Sequence, residues 1–128
     1  LGTLKIISET GMLHSACKVT IGGASKWYGF QPKKPRTPIS GGKVDNSDRS
    51  SYINHYADFM VSDGTLHYAV EKAKSEYSSK NYVLGVVDCV SFTADVARNC
   101  GMAVPLVNLT PYGFLKTLMF HNAYTASS

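Results

Sequence analysis

The stretch LHSACKVTIGGASKWYGFQP, residues 13–32, constrains this chain most. Two runs rich in β-branched and aromatic residues flank a Gly-Gly pair, a pattern that predicts an antiparallel hairpin. In the first run Leu13, Ser15, Cys17, Val19 and Ile21 share one face, and His14 lies on the other. Upstream, TLKIIS predicts a further strand, with Glu9-Thr10-Gly11 as a turn. If Gly22–Ser25 is the hairpin turn, residue 21 pairs with 26 and His14 falls opposite Lys33. Gln31 is then diagonally adjacent to His14 on the same face. A slip of one residue brings Tyr28 or Phe30 to that face instead. The segment from Pro32 to about Ser51, rich in Pro, Gly, Ser and Asp, reads as a surface loop.

Beyond it the pattern turns helical. Leu66, Ala69, Val70, Ala73 and Tyr77 recur at helical spacing behind a Ser62-Asp63 start. A second helix opens at Cys89, carries Val90, Thr93, Val96, Ala97 and Cys100 on one face, and stops at Gly101. A third has Thr110 as N-cap and Pro111 at its first position, with Leu115, Leu118 and Met119 on its apolar side. The expected fold is α+β: a small antiparallel sheet packed against helices, in a single domain spanning residues 1–128.

Composition narrows the function. A hydrophobic share of 44% and a charged share of 17% belong to a globular protein. No apolar run approaches the ~20 residues of a membrane span, and no secretory signal opens this chain. The net charge is +4, and Lys33-Lys34-Pro35-Arg36 is the one basic cluster. Lying beside prolines without an aromatic stacking array, it reads as a solvated loop rather than a nucleic-acid footprint. Cys17, Cys89 and Cys100 show no paired Cys/His spacing for zinc and are read as free thiols.

A thiol nucleophile needs a lowered pKa, a nearby base and donors for an oxyanion. The unpaired N–H groups of a helix N-terminus supply the first and third. Cys89 occupies such a position, Cys100 the opposite end of the same helix, and Cys17 the middle of a strand. The competing reading of Cys89 is a small buried core residue. The base must be histidine. His14, His55, His67 and His121 are the candidates, and rigid strand placement favours His14. Trp27, Tyr28 and Phe30 read as core and groove wall rather than a cofactor box, Tyr112 and Phe114 either as lining of a substrate cleft or as a helix start packed on the core, and Asp88 stands beside the thiol.

The order of motifs resembles a known group. GMLHSACKVTIGGASKWYGFQP resembles the His-bearing strand, turn and YGFxP strand of circularly permuted papain-like cysteine hydrolases. This group includes permuted relatives of NlpC/P60 peptidases and the lecithin:retinol acyltransferase-like proteins. NYVLGVVDCVSFTADVARNCGMAVP resembles their nucleophile helix, and TPYGFLKTL the segment after it. His before Cys is the permuted order. The resemblance implies Cys89 as nucleophile and His14 as base. An orienting group, expected at Gln31, would hold the imidazole. Two departures stand out: Asp88 occupies a position that is often Asn, and the Gly-His pair is loosened to Gly11-Met12-Leu13-His14.

What the resemblance implies is a cysteine peptidase or amidase working through an acyl-enzyme, with no metal or organic cofactor. The expected substrate is peptide-containing, either peptidoglycan or protein. The expected setting is that of an antibacterial effector acting in a target cell, in the periplasm for a wall substrate, with an immunity protein as partner. Nucleic acid and a membrane span are not expected. The other readings are a protein-cleaving toxin, a thiol acyltransferase of the lipid-modifying kind, and a non-catalytic binding domain.

Overall fold

The computed structural model describes residues 1–10, 14–35, 37–105 and 110–128. In chain order the elements are β1 (Gly2–Glu9), β2 (Ser15–Ile21), β3 (Ala24–Pro32), β4 (Ile39–Asp45), β5 (Ile53–Val61), α1 (Asp63–Tyr77), β6 (Asn81–Val83), α2 (Cys89–Asn99), α3 (Pro111–His121) and β7 (Ala126–Ser127). The seven strands form one antiparallel sheet in the order β6-β4-β3-β2-β1-β5-β7. The α+β class expected from the sequence is what the fold shows. Among the described residues no helix is long and apolar enough to cross a membrane.

The sheet has two unequal faces because side chains alternate along each strand. Leu4, Ile6, Cys17, Val19, Phe30, Ala57 and Phe59 face the helices and form the main core. Into it α1 sends Leu66, Val70, Ala73 and Tyr77, α2 sends Val90, Phe92 and Val96, and α3 sends Phe114, Leu115 and Leu118. The other face carries a small cluster of Ile7, Ala16 and Trp27, flanked by Ile53 and Tyr56. Both faces are thus covered near the centre, and β1 is buried without interruption from Ile6 to Glu9.

The hairpin is tighter than the sequence suggested. Gly22 and Gly23 adopt φ of 58° and 80°, and Ile21 faces Ala24 across a two-residue turn. Positive φ at both central residues matches the twist of the flanking strands, so the short turn is preferred over a four-residue one. The register moves by two residues, which leaves every side chain on its expected face. Four further strands run where a surface loop or nothing regular was expected: β4 within residues 32–51, and β5, β6 and β7 after it.

Candidate active site

Asp88 makes the start of α2. One carboxylate oxygen accepts from the N–H groups of Val90 (3.1 Å) and Ser91 (3.0 Å). The Ser91 hydroxyl in turn accepts from the Asp88 N–H at 2.8 Å, completing a capping box. The second Asp88 oxygen accepts from the Gly85 N–H at 2.8 Å, tying the preceding turn to the helix. Both oxygens are therefore committed to backbone donors.

Cys89 follows as the first helical residue and is 3% exposed. The N–H groups of Ser15 and Val90 and the Tyr82 hydroxyl lie near enough to its sulfur to act on it. These donors favour the thiolate, but burial opposes it more strongly, and the Asp88 charge adds to the opposition. The thiol is pushed up to about 11, so it carries its proton at neutral pH. Tyr82 is itself buried, with its ring stacked on Phe30 at 5.8 Å.

The sheet supplies the partner surface. The β2–β3 ladder ends at Cys17 opposite Tyr28, and beyond it β3 pairs with β4 from Gly29 onward. Ser15 lies past the last β2–β3 pair, where its N–H meets the sulfur. Its hydroxyl bonds the Thr93 hydroxyl at 2.9 Å, and Thr93 donates to the carbonyls of Cys89 and Val90, each at 3.1 Å. One residue thus fastens the first turn of α2 to the start of β2.

His14, the residue before Ser15, is 7% exposed and packs over Gly29: a Cβ added there would lie 3.5 Å from Nε2. That nitrogen is buried without a hydrogen-bond partner among the described residues. It lies 3.6 Å from Oε2 of Glu9, whose side chain is fully buried. Arg49 grips this carboxylate from Nε (2.8 Å) and Nη2 (2.6 Å). The register of β1 against β5 shifts between Ser8 and Glu9, a bulge of the kind that re-aims a side chain. Burial lowers the His14 pKa most; Glu9 and Asp45 raise it, and Arg49 lowers it. His14 is accordingly a neutral imidazole at neutral pH.

The residues singled out from the sequence end up as follows. Cys89 and His14 reach the same end of β2 but on opposite faces of the sheet: Cys89 joins the core beneath the helices, whereas the His14 ring packs beside Ala16 over Gly29. Gln31, expected to orient His14, donates its amide to Asp45 at 3.2 Å; the carboxylate beside Nε2 is Glu9. Trp27 and Tyr28 are both buried but belong to opposite faces of the sheet, so they do not share one groove wall. Asp88 is 4% exposed and engaged in capping. Tyr112 is exposed at the start of α3 and stacks on His55 at 4.1 Å. Gly11, Met12 and Leu13 of the His-bearing motif lie outside the described residues.

Glu9, Arg49 and Tyr82 are the residues that sequence reasoning missed. Glu9 was readable only as a turn former, since no periodicity announces a bulge. Arg49 stands in a segment without a period, and Tyr82 in a strand of three residues. Among the described residues no group of three His, Cys, Asp or Glu side chains could hold a metal ion. None of the three cysteines forms a disulfide among the described residues. No protein-family model, no curated protein and no solved structure matches this chain.

Proposed function

We propose that this chain is a thiol-dependent amide hydrolase with Cys89 as nucleophile and His14 as base. A single observation carries the reading: the Cys89 thiol at the start of α2 lies against Ser15, the chain neighbour of His14, so thiol and imidazole share one end of β2, on its two faces, and the ring has to turn round that end to reach the sulfur. Both groups are neutral at rest, the thiol held up and the imidazole held down by burial. The proton then moves only as the substrate carbonyl arrives. His14, turned round the end of β2, takes the thiol proton, the sulfur forms a bond to the carbonyl carbon, and the oxyanion falls to the Cys89 N–H, those of Val90, Ser91 and Phe92 being held by Asp88. The C–N bond breaks as His14 returns the proton to the leaving amine. Water, deprotonated by His14, then cleaves the thioester and regenerates the thiol with release of the acid.

The substrate class that fits best is an acidic peptide of the peptidoglycan kind, to which a chain of net charge +4 is drawn. An antibacterial effector acting in the target periplasm, countered by an immunity protein, is the corresponding biological setting, and a protein-cleaving toxin would use the same two residues. The test is incubation of purified peptidoglycan with wild type, Cys89→Ala and His14→Ala, scoring new free amines. The expected result is amine release by the wild type alone. Equal release by Cys89→Ala would sink the nucleophile, and no release by any form would sink the peptidoglycan assignment.

One observation favours a second reading, a non-catalytic binding domain. Cys89 is 3% exposed and its thiol is pushed up to about 11, as in a structural core cysteine. The two readings separate on alkylation of the thiol by iodoacetamide: a catalytic Cys89 slows when His14 is replaced by Ala, whereas a structural one keeps its rate.

A further inference from the structure

We infer that Glu9 and Arg49 form a positioning pair for His14, holding the imidazole with its proton on Nε2 and its lone pair on Nδ1; this rests on the thiol-hydrolase reading above. A fully buried carboxylate must be paired, and the fork of Arg49 pairs it on both oxygens. Replacing such a buried pair by apolar side chains of similar size is often neutral or stabilising, so packing alone does not account for it.

What the pair does contribute is direction. An ionised carboxylate only accepts, and each oxygen has two lone pairs, so Arg49 leaves Glu9 capacity to spare. Oε2 spends that capacity towards Nε2 of His14, which is otherwise without a hydrogen-bond partner among the described residues. The tautomer presenting N–H to the carboxylate is therefore favoured, and the lone pair falls on Nδ1. The separation of 3.6 Å is longer than a hydrogen bond at rest. It shortens when the imidazole gains charge, because the attraction to Glu9 then becomes that of an ion pair.

Arg49 is itself held in place: its guanidinium stacks over the Tyr52 ring at 4.5 Å. The charged groups acting on His14 are Glu9 on β1, Asp45 on β4 and Arg49 between β4 and β5. Two raise its proton affinity and one lowers it, against a burial that lowers it most.

The experiment is long-range ¹H–¹⁵N NMR of the histidine rings in the full chain near neutral pH, with His14 assigned by its loss in His14→Ala. The expected wild-type result is the Nε2–H tautomer. Glu9→Gln is expected to lower the His14 pKa by about one unit, and Glu9→Asp to restore part of the shift. An Nδ1–H tautomer in the wild type, or a His14 pKa unmoved by Glu9→Gln, overturns the proposal. The wild-type tautomer needs no Glu9 variant, so a Glu9 variant that fails to fold leaves the test intact. It also needs no turnover, so its failure is distinguishable from loss of the hydrolase reading, which is decided by Cys89→Ala on substrate.

Discussion

Asp88 acts on its neighbour Cys89 in two opposed ways. Its carboxylate caps α2 and so secures the helix start whose N–H groups favour a thiolate. Its charge meanwhile pushes the same thiol up, after burial, to about 11. Asn would keep an accepting oxygen for the cap while removing the charge. Asp88→Asn is thus expected to move the thiol back towards its ordinary value of 9.0. At any pH below both values the thiolate fraction rises, by tenfold for each unit the pKa falls. Alkylation of Cys89 by iodoacetamide, followed by mass spectrometry at about pH 8, should therefore be several-fold faster than in the wild type. A rate equal to or below the wild type's would show that access, not charge, governs this thiol. Chemical denaturation of the same variant should show a loss of about 1 kcal/mol, from the bond between Asp88 and Gly85 that Asn cannot make with its amide nitrogen.

At the scale of elements, β4 shows how a strand can be imposed by its neighbours. Ile39–Asp45 reads ISGGKVD, with two glycines and little alternation, and pairs on both sides with β3 and β6. Gly42 is there because the Phe30 ring needs its space: an added Cβ would lie 2.1 Å from Phe30 Cζ and 2.7 Å from the Lys80 carbonyl oxygen. Phe30 cannot yield easily, since it packs against Tyr77, Tyr82 and Phe92. Gly42→Ala should therefore cost at least about 1–3 kcal/mol in urea denaturation. Because Tyr82 stacks on Phe30 and its hydroxyl favours the Cys89 thiolate, the same change should alter Cys89 alkylation. A variant as stable as the wild type would contradict this packing.

That contrast explains what the sequence could and could not disclose. The three helices were legible because their apolar faces and their starts at Ser62, Asp88 and Thr110 are local signals. The β2–β3 hairpin was legible for the same reason, down to which face His14 occupies. β5 also carried a period-two signal in Ala57, Phe59 and Val61, diluted by Tyr56 and Met60 on the other face. β4 could not be read, since its strand form comes from pairing across the sheet. In the candidate site, Cys89 at a helix start was visible, and so was His14 on a strand. The group beside the imidazole was not: Glu9 reaches it through a bulge, and Arg49 reaches Glu9 across 40 residues of chain.

For the molecule as a whole, the strand order puts the shortest strands at the two margins of the sheet. β6 has three residues and β7 two, while β5, just inside β7, has nine. β7 covers β5 only at Ala57 and Asp58, helped by the Thr125 N–H on the Asp58 carbonyl (2.9 Å) and the Ser128 N–H on the Tyr56 carbonyl (3.1 Å). Removing residues 125–128 would leave a nine-residue strand with its outward N–H and C=O groups unmatched. The shortened chain is expected to self-associate as its concentration rises, measured by sedimentation velocity beside the full chain. A truncated form as monodisperse as the full chain at every concentration would count against this. Residues 125–128 then work as a cover: by taking up outward groups of β5 at Tyr56, Ala57 and Asp58, they keep those groups from being matched by a second copy of the molecule.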